Sequence, residues 1–333
     1  MTSAHEARRA GRAGTTFRKE VLMDVALVTG ANSGIGCATA IRLAAGGYTV
    51  YGGMRDLASG TRLAERSAAE GVEVRPIRLD VTDEELVRSA VAQITEDAGG
   101  VDVLVNNAGI TENGTVEETS AESFQRVFDV NVCGIVRCSA AVLPHMRERR
   151  RGTIVNIASI AGRVAMGAQA PYATSKWAVE GLTEGLAQEV RAHGIRVVLI
   201  EPGVTKTPIF AKATEVPAST GAYEASYRRM FQFFAAGLRE ATRPQEVGEV
   251  VYSALSADEP ALRHVCSWGA AELAAGRRSM TDEEWVALGG LDSDDDYYRE
   301  FSRLFGLDIA PGGLASDVSA TSPASPENRR RAT

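Results

Sequence analysis

Two kinds of hydrophobic run alternate along the chain. Short, β-branched and mostly apolar stretches, such as Val25–Thr29 and Val101–Val105, have the composition of strands buried on both faces. Between them apolar residues recur at helical spacing. Cys37, Ala38, Ile41, Ala44 and Ala45 do so after the first strand, and Phe124, Val127, Phe128, Val130 and Val132 lie on and around the buried face of a helix opening near Ala121. The pattern predicts regular structure from about Leu22, with strands at Val25–Thr29, Tyr48–Gly53, Val72–Leu79, Val101–Val105, Gly152–Ala158 and Ile195–Ile200. Thr82, with Glu85 three residues on, predicts a helix start running to about Ala98, and another helix should run from Tyr172 to about His193. Alternation of strand and helix six times over implies an α/β fold, a doubly wound parallel sheet with helices on both faces.

The last third is less regular. A helix is expected from Arg243-Pro244 to near Ser256, and a seventh strand at Ala261–Cys266. Before them lies a dense aromatic set, with Phe210, Tyr223, Tyr227, Phe231, Phe233 and Phe234 beside Ile209 and Met230, in a chain only 6% aromatic. After them Thr281-Asp-Glu-Glu284 looks like a helix start, so short helices are expected there, packing on the preceding segment or on a partner subunit. Residues 1–22 and 310–333 read as disordered tails, rich in Ala, Gly, Arg, Pro and Ser.

Composition narrows the function classes. With 44% hydrophobic and 24% charged residues in 333, the chain is an ordinary globular protein with a sizeable core. A net charge of −7 argues against nucleic acid as a partner, and the basic runs at Arg147–Arg151 and Arg329–Arg331 read as solvated ends. Cys37, Cys133, Cys138 and Cys266 form no C-x-x-C pair and no metal-type spacing with the four histidines, so free thiols and no metal are expected. No signal-peptide core and no membrane-spanning run is visible, which together with the thiols predicts a cytoplasmic protein.

Several strand ends carry polar or glycine-rich groups. Thr29-Gly30-Ala31-Asn32-Ser33-Gly34-Ile35-Gly36 joins the first strand to its helix, and such a turn favours a phosphate, although a tight βα turn without a ligand is equally compatible. The second strand ends in Met54-Arg55-Asp56, where an acid suits a free ribose and a cation a 2′-phosphate; Arg55 favours the phosphate, while Asp56 reads as a helix cap. Asp80 ends the third strand and is either a ligand contact or a turn residue. Asn106-Asn107-Ala108-Gly109 closes the fourth, Asn131 falls among apolar helical residues as a core plug or part of a proton path, and Ser159 ends the fifth. In Tyr172-Ala-Thr-Ser-Lys176 the phenol and the ammonium are four residues apart on one helix face. A cation beside a phenol lowers its pKa toward the working range of a general acid/base, whereas the pentapeptide taken alone reads more readily as a surface pair.

Taken together and in order, Thr29-Gly-x-x-x-Gly-Ile-Gly36, Asp80, Asn106-Asn-Ala-Gly109, Asn131, Ser159, Tyr172-x-x-x-Lys176 and Pro202-Gly203 resemble the short-chain dehydrogenase/reductase superfamily, in its single-domain branch. The resemblance covers about Asp24 to Thr207. It implies a Rossmann fold and a catalytic tetrad of Asn131, Ser159, Tyr172 and Lys176, in which Ser159 polarises a carbonyl and Tyr172 exchanges its proton. Lys176 would lower the phenol's pKa and hold the nicotinamide ribose, and Asn131 would fix a water leading to solvent. Gly30, Ser33, Gly34, Ile35 and Gly36 would cradle the pyrophosphate, Asp80 and Val81 the adenine, and Asn107, Ala108 and Gly109 the adjacent ribose. Pro202, Gly203, Val204 and Thr207 would meet the nicotinamide side.

Arg55 favours NADP(H) over NAD(H), although Ser33 stands where NADP-preferring relatives often carry a base. The resemblance also implies a catalytic domain at 23–270 with a lid at about 205–240 over a bulky lipophilic alcohol or ketone; the helical extension at 271–309, read from the helix start at Thr281, goes beyond the family's usual length. Aromatics that merely cover the sheet end are the other reading of that lid. Homodimers or homotetramers would form through the helices at Ala121–Arg150 and Tyr172–His193. A dehydratase or epimerase, and a dinucleotide-sensing module without turnover, are the alternatives to an alcohol/ketone oxidoreductase.

Overall fold

In a computed structural model, residues 24–212, 220–240 and 242–312 are described; the expected tails at 1–22 and 310–333 lie outside them, apart from 310–312. Seven strands, β1 (Val25–Thr29), β2 (Thr49–Met54), β3 (Val74–Arg78), β4 (Val103–Asn106), β5 (Gly152–Ile157), β6 (Ile195–Pro202) and β7 (Arg263–Cys266), form one sheet in the order β3-β2-β1-β4-β5-β6-β7. Every pairing is parallel. The winding reverses between β1 and β4, so the loops after these two strands diverge and open a crevice at their carboxyl ends.

Helices α1 (Gly34–Ala45), α2 (Thr61–Ala69), α3 (Glu84–Ala98), α4 (Ala121–Phe128), α5 (Gly134–Arg149) and α6 (Ala170–Arg191) carry the crossovers, followed by α7 (Ile209–Lys212), α8 (Glu224–Arg239) and α9 (Pro244–Ser256). Side chains alternate across the sheet. Val28, Val105, Val155 and Val198 join a cluster with Leu43, Val247 and Val251, while Leu27, Leu104, Ile154 and Val197 join one with Val87, Ile94, Val142 and Met146. Continuous apolar runs are needed because both faces of a parallel sheet are covered.

Three local readings change. Thr82 does not cap α3: its hydroxyl bonds the Asp80 carboxylate at 2.8 Å, and Asp83 caps instead, accepting from Glu85 N and Leu86 N. Strand β6 runs on through Pro202, so the residues after Ile200 are still paired, Pro202 lying opposite Cys266. The helix from Ala121 is interrupted by a π turn at Asp129–Cys133, and of its five expected core residues only Val127 is fully buried. Taken together, the helical span Ala121–Arg149 is long and apolar enough to cross a membrane by length and composition, yet Val127, Ile135, Cys138, Val142 and Met146 are buried in the fold.

Beyond β7, α10 (Ala270–Ser279), α11 (Asp282–Gly289) and α12 (Asp294–Phe305) form a helical carboxyl-terminal region. A capping box between Thr281 and Glu284 starts α11, and Ser293 caps α12. These helices share an apolar cluster with α8, in which Phe233 packs on Phe301 and on Trp268 at centroid distances of 6.0 and 5.4 Å. Arg229 of α8 fastens the arrangement. Only 6% exposed, its guanidinium meets the Asp294 carboxylate at 2.9 Å and Leu291 O at 2.6 Å, and lies 4.5 Å from the centre of the Tyr297 ring.

Removing one partner of a buried ion pair leaves the other charge uncompensated. Asp294→Ala is therefore expected to lower the unfolding free energy by about 2–3 kcal/mol, the low end of the usual range because the carboxylate keeps some solvent contact. Asp296→Ala, which frees only the exposed Arg299, should cost under about 0.5 kcal/mol; urea denaturation of the two variants checks the contrast.

Candidate active site

The turn after β1 is built to let something approach its backbone. Gly30 and Gly34 have φ of 67° and 57°, a region side chains resist, and a Cβ on Gly36 would lie 2.4 Å from Asn107 Nδ2 and 2.5 Å from Gly30 O. Ser33, extended at the N-cap of α1, makes no side-chain capping bond, and no acid occupies the first turn. The leading N–H groups of α1 thus face the crevice without a competing anion. The opposite wall is tied on by Thr29, whose hydroxyl accepts from Asn107 N and Ala108 N, both at 3.0 Å, while Asn107 Nδ2 donates to Thr29 O at 2.9 Å.

A cavity of about 580 Å³ runs from this turn toward the carboxyl-terminal helices. Its walls include all the sequence-predicted cofactor residues except Gly36, which lies beneath the turn: Gly30, Ser33, Gly34 and Ile35, then Arg55, Asp80 and Val81, then Asn107, Ala108 and Gly109, then Tyr172, Lys176, Pro202, Gly203, Val204 and Thr207. Ser159 lines it as well, while Asn131 stands behind the wall. At the end of the cavity bordered by β2, Arg55 is exposed and makes no ion pair among the described residues. Asp56 is occupied as the cap of a short 3₁₀ turn, accepting from Ala58 N at 2.9 Å. An open glycine cradle, an unopposed helix start and a long groove ending at a cation fit a dinucleotide with an anionic far end.

The polar centre sits where β5, β6 and α6 meet. Ser159 Oγ accepts from Ala161 N at 3.2 Å and donates to Pro202 O at 3.5 Å. Lys176 Nζ donates to Ile157 O at 2.9 Å and lies 5.7 Å from the centre of the Tyr172 ring. Burial raises the phenol's pKa above its usual value, with the Ser159 hydroxyl opposing, and burial pushes the lysine down to about 8, with Glu180 opposing. In the ligand-free protein the phenol is therefore held in its protonated form, and desolvation outweighs any help from the nearby ammonium.

Asn131 is a clamp within the π turn. Its Oδ1 accepts from Ile110 N at 2.9 Å, and its Nδ2 donates to Ile110 O at 2.9 Å and Ser175 Oγ at 3.0 Å. Both amide hydrogens are thus used, fixing the loop after β4 against α6. Behind Lys176 lies a charged layer absent from the motif reading: Glu201, fully buried, pairs with Arg163, and Glu180 accepts from Arg263 Nε at 2.8 Å. Burial and the neighbouring Glu201 raise the Glu180 pKa.

The aromatic set divides. Ile209, Phe210, Phe233 and Phe234 line the cavity, whereas Tyr227 and Met230 form a separate cluster with Ala168, against which Tyr223 and Phe231 pack. Glu118 holds that second group, accepting from Thr220 N at 2.7 Å and from the Tyr227 hydroxyl at 2.9 Å. Val164, Met166, Gln169 and Leu273 also line the cavity. None belongs to a motif, and no local spacing marks them. The cysteines are free, and among the described residues no cluster of metal-ligating side chains occurs.

With this geometry in hand, similarity to known proteins is informative. The sequence profile of the family described as short chain dehydrogenase matches residues 24–217. Estradiol 17-beta-dehydrogenase 1 of Rattus norvegicus is 39% identical over 253 residues, 72% of this chain and 72% of its own. A 3-oxoacyl-[acyl-carrier-protein] reductase of Thermotoga maritima is 34% identical over 237 residues, 71% of this chain and 91% of its own. Among solved structures, a short-chain dehydrogenase from Streptomyces avermitilis superposes with a TM-score of 0.71 at 34% identity, covering 84% of this chain and 98% of its own. An actinorhodin polyketide ketoreductase solved with NADPH gives 0.64 at 32% identity, over 74% and 97%.

The packing around the turn sets a test by one methyl group. Gly36→Ala forces a carbon against backbone and is expected to cost about 1–3 kcal/mol and to weaken dinucleotide binding. Gly181→Ala in α6, whose Cβ meets nothing within 4 Å, should stabilise by up to about 1 kcal/mol. Thermal denaturation with and without added dinucleotide reads both.

Proposed function

The chain belongs to the short-chain dehydrogenases, and we propose that it is an NADP(H)-dependent oxidoreductase interconverting a secondary alcohol and a ketone on a bulky lipophilic substrate. One observation carries this reading: Ser159, Tyr172 and Lys176 line the same cavity as the glycine turn at one end and the apolar walls at the other. A polar reacting centre between a phosphate-binding turn and an apolar pocket suits hydride transfer between a dinucleotide and a carbonyl carbon.

The nicotinamide dinucleotide, when bound, supplies or accepts the hydride. The protein's own groups do the remaining work. Ser159 donates to the carbonyl oxygen and orients it toward Tyr172. Tyr172, protonated because burial raises its pKa, gives its proton to that oxygen in reduction and takes one from the alcohol in oxidation. Lys176, anchored to Ile157 O, presents a positive charge to the phenolate that remains. Asn131 positions the loop carrying Ile110 against α6. Arg55 supports a preference for the 2′-phosphate, since a free guanidinium pairs readily with phosphate. Phe233, Phe234 and Leu273 support a lipophilic substrate, two from α8 and one from α10.

A catalytic unit extending to about residue 270, with 271–309 as an appended wall, belongs to the same reading, as does a homo-oligomer through α5 and α6. There Val136 and Trp177 are 47% and 50% exposed; light scattering at the mass of a single 35.3 kDa chain would remove the oligomer from the reading.

Titration with NADPH and NADH, followed by ketones of increasing lipophilicity, tests the activity. Tyr172→Phe is expected to lower turnover about 10²–10⁴-fold while cofactor affinity changes less than about threefold. Arg55→Ala should reduce the NADPH-over-NADH preference by about tenfold. Because the free phenol's pKa is raised, alcohol oxidation should speed up as pH rises into the alkaline range, whereas reduction should hold through neutrality and fall at high pH. A dinucleotide that binds yet is never consumed would overturn the oxidoreductase assignment.

A further inference from the structure

Much of the cavity wall contributed by the segments after β5, by α8 and by α10 is apolar. Ile160, Val164, Met166, Phe233 and Leu273 line the cavity, and so does Gln169, only 5% exposed. Its side chain makes no capping bond to α6, although it occupies the N-cap, and its amide has no hydrogen-bond partner among the described residues. The amide lines the cavity, so its donors and acceptor are left to water or to a molecule that fills the cavity, and covering them with apolar groups would cost free energy. Here the backbone holds it where it is. Ala168 adopts a φ of 61°, an unusual value for a residue with a side chain, and Gly114 brackets the peptide, donating N–H to Ala168 O at 2.8 Å and accepting from Ala170 N at 3.0 Å. Tyr172 follows three residues later, about one helical turn or ~5 Å along the axis.

Given the alcohol/ketone reading of this site, on which the inference rests, we propose that Gln169 is a specificity-determining residue. Its amide hydrogen-bonds a second polar group, a hydroxyl or carbonyl, carried by the substrate a few bonds from the reacting carbon. The substrate class is thereby narrowed to lipophilic ketones and alcohols with a neighbouring oxygen function. A plain hydrocarbon ketone would bury the amide without a partner and be disfavoured. The amide, having both a donor and an acceptor, accommodates either kind of oxygen.

The test compares a medium-chain methyl ketone with its β-hydroxy counterpart. The intact protein is expected to prefer the hydroxy ketone by about tenfold or more in kcat/KM, chiefly through KM. In Gln169→Leu, and in the unbranched Gln169→Met that fills the same space, that ratio should fall to about one. A general loss of folding would lower both activities together and leave the ratio where it was. Calorimetry of the two ketones on the NADP⁺-loaded protein gives the same comparison without turnover. A Gln169-dependent affinity difference with no turnover would sink the oxidoreductase reading and uphold the role of Gln169. Equal affinities in the intact protein, or a ratio unchanged in a Gln169→Met variant that keeps its activity toward the plain ketone, would overturn the proposal.

Discussion

The bond from Lys176 Nζ to Ile157 O fixes the reacting centre. It ties the first turns of α6 to the last residue of β5, and Ser159 lies two residues beyond that carbonyl. Tyr172 is one helical turn before the lysine, so the same anchor sets how far the phenol stands from the serine. Burying an ammonium is costly, and the carbonyl, together with the charge of Glu180, offsets part of that cost. The remainder shows as the lysine's lowered pKa. Geometry and electrostatics at the site therefore share one cause: a cation is used as a structural pin in a place where water is scarce.

A second constraint keeps the two walls of the crevice in register. Thr29 and Asn107 join the ends of β1 and β4, where the sheet's winding reverses, and a buried amide chain from Asn106 to Asn156 to Thr183 continues across β5 to α6. Each of these polar groups is satisfied, so they fix positions without leaving unmet hydrogen bonds. The glycine turn on one wall and the Tyr172 helix on the other are thus held by a single connected layer.

The sequence made the frame legible because the frame is local. A β-branched run, a glycine-rich turn and a helical repeat each declare themselves within a dozen residues, and the parallel, doubly wound sheet followed from their alternation. The misread cap of α3 shows the limit of such signals, since Thr82 and Asp83 both suit an N-cap and only the pairing of Thr82 with Asp80 decides. Features depending on distant residues were not legible. Arg229 meets Asp294 across 65 positions, Arg163 finds Glu201 across 38, and Leu273 reaches the cavity through the packing of α10 on α8. Asn131 could be marked as a buried polar residue, but the π turn that holds it had no signature. The sign of the Tyr172 shift was also hidden, because a Tyr-x-x-x-Lys pattern speaks of a nearby charge and is silent about burial, which here is the larger effect.

The layer behind Lys176 shows what the site costs the fold. Glu180, with its pKa raised, binds a proton more readily in the folded state than in the unfolded chain, so its contribution to stability falls as pH rises from the usual carboxylate value toward its folded one. Lys176, lowered from 10.5 to about 8, releases its proton more readily when folded, so its contribution grows as pH rises from about 8 toward 10.5. Between these ranges both groups are charged, and both oppose folding most. That interval is also where an ammonium beside the phenol is of use to proton transfer, and where ionised Glu180 helps keep Lys176 charged. Two half-buried arginines partly neutralise the carboxylates, with Arg163 on Glu201 and Arg263 on Glu180. The hydrophobic clusters on the two faces of the sheet supply the stability that this charged layer does not. A site arranged for stability alone would place neither a lysine nor a pair of carboxylates there.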